Sequence, residues 1–151
     1  MLKIYALDDC PIKHLVPLQK SPKKGISLVS FNKNNVVRFV WRLYYHIDGS
    51  NELADFHIHQ ELKDKLNNKD EKFADRYIQR CLFIYANTFK LDKMWVWTTN
   101  KQEYFIDLYE RNGFKKVQID RPKEKKIRKN NPDLDYNEKV IKYEIDLSHY
   151  L

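Results

Sequence analysis

Acid–base side chains recur at every second residue in the segment Leu53–His59, where Asp55, His57 and His59 follow one another. Side chains two residues apart on an extended strand point to the same face, so these three would lie together with Leu53. The opposite face would be apolar and comprises Ala54, Phe56 and Ile58. Histidine is the usual proton acceptor near neutral pH, and a carboxylate can share that role. The pattern predicts a group of candidate bases, although an exposed strand that merely turns polar residues outward would have the same sequence.

Tyr109 is a further candidate for acid–base chemistry. It lies in a predicted helix one turn before Gly113, and Phe114 then begins a predicted strand. A phenol has a pKa of about 10, so it is protonated at neutral pH and can donate a proton. Tyr109 could equally be a core aromatic residue whose hydroxyl reaches the edge of a sheet.

A concentration of positive charge covers residues 121–131, which hold six basic side chains and one acidic one. Such a patch attracts polyanions and speeds their encounter. We interpret the segment as a long loop that contacts an acidic acceptor or a nucleic acid, although lysine-rich segments are commonly no more than solvated surface. The basic residues are Arg121, Lys123, Lys125, Lys126, Arg128 and Lys129.

Length and composition limit the classes of protein to which the chain can belong. With 151 residues, 42% of them hydrophobic and 14% aromatic, the chain can form one folded domain over residues 1–151. No apolar run approaches the length of a membrane span and the N-terminus lacks a signal-peptide pattern, so we expect no membrane association. Cys10 and Cys81 are too few for a disulfide framework and no zinc-ligand spacing occurs, which predicts a cytoplasmic protein without a metal site.

The first half of the chain has the pattern of an antiparallel sheet. Segments rich in β-branched and aromatic residues predict strands, Asn32–Asn35 predicts a turn, and Asp48-Gly49 is the strongest hairpin signal. Residues 11–18 would form a short helix or an irregular loop, because prolines interrupt them. The predicted strands are Leu2–Leu7, Ile26–Phe31, Val36–Ile47 and Leu53–His59.

The second half of the chain alternates helices with strands. Apolar residues recur with the helical period from Glu71 to Phe89, which predicts a long helix. Asn100 would cap a second helix, with Asp107 and Arg111 paired on its exposed side and Gly113 as its left-handed stop. The predicted strands are Lys93–Thr98, Phe114–Asp120 and Lys139–Leu147.

The strand at residues 93–98, the short helix with its late tyrosine, Gly113-Phe114 and the strand after them resemble the C-terminal signature of the GNAT superfamily of N-acetyltransferases. The order of the elements is similar through nearly the whole chain, most strongly from Leu53 to Ile119. The resemblance implies an α/β (α+β) fold in which a mixed, mostly antiparallel central sheet is flanked by helices.

The resemblance implies acetyl-CoA as the cofactor, with its pyrophosphate at the start of the long helix. The family pattern there is Gln/Arg-x-x-Gly-x-Gly/Ala, and the matching residues are Lys69-Asp70-Glu71-Lys72-Phe73-Ala74. Lys69 takes the basic place and Ala74 the last small place, but Lys72 replaces the middle glycine. Since glycine lets a backbone approach phosphates closely, Lys69 and Lys72 would have to bind them through their side chains instead.

The resemblance also assigns roles to the candidates above. Tyr109 corresponds to the general acid that protonates the leaving thiolate, and Asp55, His57 or His59 would supply the general base. Backbone groups of residues 56–59 would pair with the pantetheine arm, and Gln102 takes the place of an asparagine. The cofactor-binding residues that the resemblance implies are Phe56, Ile58, His59, Lys69, Lys72, Phe73, Ala74 and Gln102.

Two functions follow as hypotheses. The first is transfer of an acetyl group from acetyl-CoA to an amine on an acidic acceptor, such as a protein or an aminoacyl-tRNA, which the basic residues would favour. The second is a non-catalytic GNAT-fold module whose basic segment binds nucleic acid or an acidic protein partner. A transferase that takes its acyl group from a different carrier is a third hypothesis within the same fold. The sequence allows a monomer or a homodimer.

Overall fold

A single sheet of seven strands forms the centre of the computed structural model, which describes residues 1–9, 18, 24–59 and 71–150. The strands are β1 Leu2–Ala6, β2 Gly25–Phe31, β3 Val37–Tyr45, β4 Asn51–Ile58, β5 Lys93–Thr99, β6 Lys115–Val117 and β7 Val140–Asp146. They lie in the order β1-β2-β3-β4-β5-β7-β6. The pair β4 and β5 is parallel, and the other neighbouring pairs are antiparallel. This is the mixed, mostly antiparallel sheet that the sequence predicts.

Helices cover this sheet. Within the described residues these are α1 Glu71–Asn87, α2 Glu103–Arg111 and α3 Arg121–Asn130, with short 3-10 turns at Leu7–Asp9 and Ser148–Tyr150. Tyr77, Ile78 and Leu82 of α1 belong to the same buried cluster as Trp41 and Leu43 of β3. The helical period of the apolar residues thus predicts both the helix and the face that it buries.

Local turn signals are confirmed where the structure describes them. The hairpin between β3 and β4 turns at Asp48-Gly49, with Gly49 at φ +86°, and Asn35 adopts φ +61° in the preceding turn. Both residue types tolerate this left-handed backbone. The helix or loop predicted at residues 11–18 lies outside the described residues, apart from Leu18.

The strict alternation predicted for Leu53–His59 is wrong, because β4 contains a β-bulge. Val40 pairs with His57 and Arg42 pairs with Ala54, so two residues of β4 lie opposite one residue of β3. Asp55 lies in this bulge with φ +57°. The extra residue shifts the side-chain alternation, and Leu53 is therefore buried in the same core cluster as Ile58.

The basic segment forms the helix α3, and its prediction as a long loop is wrong. Pro122 lies in the first turn, where its missing N–H costs no helical hydrogen bond, and Asp120 occupies the N-cap position. Lysine, arginine and glutamate are good helix formers. Ile127 anchors the helix, since it is buried in a cluster with Trp95 and Val140.

The surroundings of α2 also differ from the prediction. The N-cap position belongs to Gln102, while Asn100 is bound to Lys139, the residue before β7: its Oδ1 accepts a hydrogen bond from the Lys139 amide at 2.9 Å. The ion pair that the structure gives Arg111 is with Asp75 of α1, at 3.1 Å and 3.2 Å. The strand predicted at residues 114–120 is shortened to β6. The contacts of Asn100 with Lys139 and of Arg111 with Asp75 join residues far apart in the sequence, so local sequence signals do not predict them.

The end of α2 is fixed by a Schellman motif. The Phe114 amide donates to the Tyr109 carbonyl at 3.0 Å, and the Gly113 amide donates to the Glu110 carbonyl at 3.3 Å. Gly113 has φ +92°, which this motif requires at that position. The motif fixes the backbone of Tyr109 at its carbonyl.

Replacing Gly113 should destabilise the protein because of its left-handed backbone conformation and not because of a steric clash. An added Cβ there would approach only the side chain of Ile145, at 3.9 Å, which is an ordinary van der Waals contact. We expect Gly113→Ala to lower the free energy of unfolding by about 1–2 kcal/mol, the cost of a left-handed conformation. Gly113→Asn should cost less, since asparagine tolerates that region. Urea denaturation measures both variants, and equal losses would contradict the assignment.

Core phenols and a thiol should make stability decline at alkaline pH. Burial raises the pKa of Tyr77, Tyr85 and Cys81. Above about pH 10 the unfolded phenols release protons that the folded ones retain, so stability should fall by about 1.4 kcal/mol per pH unit for each phenol. Denaturation midpoints measured from pH 7 to pH 11 check the decline.

Tyr85→Phe is the diagnostic variant, because no described residue bonds the buried Tyr85 hydroxyl. It should leave stability at pH 7 unchanged or slightly raised and should reduce the alkaline slope. Tyr136→Phe is the matched control, since Tyr136 is 96% exposed and should leave the slope as it is. Equal slopes in wild type and Tyr85→Phe would contradict the explanation.

Candidate functional site

A cleft of about 850 Å³ lies where β4 and β5 diverge. The register between these strands contains one pair, Glu52 and Trp95, and residues beyond that pair on both strands line the cleft. The hairpin of β3 and β4 forms one wall, α2 contributes a second, and α3 contributes a third. A cleft of this volume is in the range of small-molecule sites.

Tyr109 lines the cleft from the last turn of α2 and is 4% exposed. Its ring is packed among other aromatic rings, with centroid distances of 5.4 Å to Phe114 and 6.0 Å to Phe105. Burial raises the pKa of Tyr109. The phenol is therefore a protonated group, held by a rigid surround and placed at the cleft.

Asp55 also lines the cleft, and it is the one of the three predicted bases that does. Its Oδ2 accepts a hydrogen bond from Nη1 of Arg42 at 3.1 Å and another from the Tyr44 hydroxyl. The Arg42 side chain is fully buried, so the carboxylate compensates a guanidinium that water does not reach. Asp55 thus has a structural task in addition to any chemical one.

The other two predicted bases are placed elsewhere. His57 lies opposite Val40 in the β3–β4 register, and the His59 amide donates to the Arg38 carbonyl at 2.9 Å. Neither histidine is among the residues that line the cleft. The His59 amide is directed at β3 and does not face β5.

A histidine–carboxylate pair that sequence reasoning missed lies in the cleft. Nε2 of His46 is 2.7 Å from Oε1 of Glu52, and Glu52 is almost fully buried. The His46 ring also packs on Trp95 at a centroid distance of 5.6 Å. The sequence feature that could have predicted this pair is the Asp48-Gly49 turn, because a hairpin turn brings the residues on its two sides together.

The residues predicted to hold the cofactor are spread over several parts of the structure. Phe56 and Gln102 line the cleft, and Gln102 accepts a hydrogen bond from the Thr98 hydroxyl at 2.6 Å. Ile58 and Ala74 are buried in the core and do not line the cleft. Lys72 and Phe73 lie in the first turn of α1, and Lys69 lies outside the described residues.

The basic residues of α3 divide between two faces of that helix. Lys123, Lys126 and Lys129 line the cleft. Arg128 instead binds carbonyl oxygens of Asp135 and Glu138, which ties α3 to the segment before β7. The two remaining basic residues, Arg121 and Lys125, are exposed and do not line the cleft.

Lys123 lies directly over an aromatic ring. Its Nζ is 4.3 Å from the ring centroid of Trp95, and Nζ of Lys142 is 5.4 Å from the same ring. Burial and the charge of Lys142 lower the pKa of Lys123. The ring attracts both cations, while the cations repel each other.

Metal-ligand groups and membrane-spanning helices are absent from the part of the chain that the structure describes. Among those residues, no group of three or more histidine, cysteine, aspartate or glutamate side chains is arranged to hold a metal ion. No helix of the described ranges is both long and apolar enough to cross a membrane. Cys81 is buried as a free thiol, and Cys10 lies outside the described residues.

Comparison with known proteins identifies the fold. No protein-family model matches the chain, and no curated protein matches it by sequence. A mutant form of the spermidine/spermine N-acetyltransferase SpeG from Vibrio cholerae is similar in structure, with a TM-score of 0.67 and 16% identity over 99% of this chain and 97% of that one. The IAA acetyltransferase from Bacillus cereus has a TM-score of 0.60 and 17% identity, over 97% and 99% of the two chains. The chain therefore has the fold of the GNAT N-acetyltransferases.

Proposed function

We propose that the protein transfers an acetyl group from acetyl-CoA to an amine. The observation that carries the proposal is the position of Tyr109, a buried phenol that lines the cleft between the diverging strands β4 and β5. The names of both structural neighbours describe acetyltransferases, which supports the same class of reaction.

The cleft fits the acyl-bearing end of acetyl-CoA. Past Glu52 and Trp95 the parallel strands have no further register pair, so an extended arm can lie between them. Phe56 and Gln102 line this part of the cleft and are the residues that would contact it. Bound acetyl-CoA would supply an activated acetyl thioester.

Tyr109 would act as the general acid. When an amine displaces a thiol from a thioester, the departing thiolate must gain a proton. Burial raises the pKa of Tyr109, so its proton is present throughout the neutral range. The same burial excludes water from the ring side of the phenol and leaves the cleft as the direction for proton donation.

His46 is the general base that the geometry favours. An amine must lose a proton to attack, and imidazole accepts protons near neutral pH. Glu52 lies 2.7 Å from Nε2 of His46 and would orient the ring and stabilise its protonated form. Asp55 is the second candidate, but its carboxylate already accepts hydrogen bonds from Arg42 and Tyr44.

The alternative function, a binding module for nucleic acid, finds less support. Half of the basic residues of 121–131 line the cleft, and Arg128 is engaged with backbone carbonyls. Only Arg121 and Lys125 among the six remain on the outer side of α3 for a phosphate backbone. Calorimetric titration with acetyl-CoA and with a single-stranded RNA separates the two functions, since the RNA hypothesis requires binding that weakens steeply with salt.

Tyr109→Phe should lower kcat about 100-fold with little change in acetyl-CoA affinity, because it removes the proton donor and keeps the ring. The measurement is release of CoA from acetyl-CoA in the presence of an amine mixture. Tyr143→Phe is the matched control, since Tyr143 packs in the same aromatic group, 5.9 Å from Tyr109, and does not line the cleft. Equal loss in the two variants would assign Tyr109 to packing alone.

His46→Gln should lower kcat/KM for the amine about 100-fold at pH 7, and Glu52→Gln should lower it less. Steady-state kinetics over a pH series measure both. His149→Gln is the control, because His149 is exposed and lies at the far C-terminal turn. If His46→Gln leaves turnover at pH 7 intact, His46 is excluded as the base and Asp55 is the remaining candidate.

A further inference from the structure

Charges of opposite sign line the cleft from two different elements, β4 and α3. Glu52 and Asp55 line it from β4, and His46 lies beside Glu52. Lys126 and Lys129 line it from α3. A ligand that spans the cleft therefore meets proton acceptors at one end and ammonium groups at the other.

The two lysines lack a neutralising partner among the described residues. Glu124, the acidic residue of α3, lies 4.0 Å from Arg128. No described carboxylate forms an ion pair with Lys126 or Lys129. Their charge is therefore available to a bound anion.

The other acidic residues near α3 do not neutralise the charge of Lys126 and Lys129. Asp120 precedes α3 at its N-cap position. Asp48 accepts a hydrogen bond from the Ser50 amide at 2.8 Å and lies near Lys123. Both are at the Lys123 end of the helix, one turn or more from Lys126 and Lys129.

The size and lining of the cleft indicate a small molecule. Its volume of about 850 Å³ must hold both the acyl end of the donor and the acceptor. Trp97, Phe105 and Ile127 add apolar surface to the lining of the cleft. An acceptor with a short apolar body between an amine and an acid group would match all three parts.

Building on the proposed function, we propose that the acceptor is a small amine that also carries a carboxylate or phosphate group. Its amine would lie at His46 and Glu52, where it can lose a proton and attack the acetyl carbonyl. Its anionic group would bind Lys126 and Lys129 of α3. A polycationic acceptor would meet these two ammonium groups as like charges, which disfavours binding.

Matched acceptors test the charge requirement directly. The pair 4-(aminomethyl)benzoate and benzylamine differs by a carboxylate, phosphoethanolamine and ethanolamine differ by a phosphate, and spermidine represents a polycation. We expect kcat/KM to be at least tenfold higher for one acid-bearing member than for its partner, and spermidine to be the poorer substrate. Which pair shows the difference distinguishes carboxylate from phosphate.

For the preferred pair, the relevant ratio is kcat/KM for the acid-bearing amine divided by kcat/KM for the plain amine. Lys126→Gln should lower this ratio about tenfold, because it removes one charge-assisted contact. Lys125→Gln is the matched control, because Lys125 is the adjacent residue, is exposed and does not line the cleft. It should leave the ratio unchanged. Equal use of acid-bearing and plain amines by wild type, or preference for spermidine, would overturn the inference while acetyl transfer still stands.

Failure of the proposed function gives a different result. If the protein neither binds acetyl-CoA nor releases CoA with any amine, acetyl transfer is excluded. Calorimetric titration with 4-(aminomethyl)benzoate and phosphoethanolamine then decides the inference without turnover. Binding that Lys126→Gln weakens and Lys125→Gln does not would support it, and no binding of either probe would overturn it.

Discussion

The pairing of the buried Arg42 guanidinium with the Asp55 carboxylate is the constraint on which the rest of the site depends. Arg42 is fully buried on β3, and a charge so placed must have a compensating partner. The bulge in β4 brings Asp55 to it at 3.1 Å with a backbone φ of +57°. A bulge also bends its strand. The same feature therefore supplies the buried guanidinium with a carboxylate and accompanies the departure of β4 from β5, where the cleft opens.

The general acid depends on a separate set of contacts. Tyr109 is held at its carbonyl by the Phe114 amide and at its ring by the surrounding aromatic residues. Two and three residues later, Arg111 and Asn112 bind Asp75, which ties the end of α2 to α1. Because these contacts converge on the last turn of α2, the phenol has little freedom to move relative to the sheet. Preorganisation of this kind is what proton transfer to a departing group needs.

Sequence reasoning succeeded where local chemistry decides the structure and failed where distant residues decide it. Asp48-Gly49 and Gly113 determine their turns almost alone, and the apolar period of α1 determines its buried face. The bulge at Asp55 was missed because Arg42, thirteen residues away, supplies its partner. Asn100 matched a cap, but the Lys139 amide uses its side chain instead. The pair His46 and Glu52 lies on both sides of a correctly predicted turn and could have been inferred from the hairpin register.

The helix α3 shows why charge alone is a weak guide to local structure. Its lysines suggested a solvated loop, yet one apolar residue, Ile127, packs on Trp95 and Val140 and gives the helix a fixed side. Arg128 then holds the helix to the segment before β7 through backbone carbonyls. Once these two residues fix the rotation of the helix, its 3.6-residue period determines which lysines line the cleft and which do not. Lys125 and Lys126 are adjacent in sequence but differ in position for this reason alone. The electrostatic character of the cleft is therefore set by where one isoleucine lies in a run of cations, and composition could not reveal it.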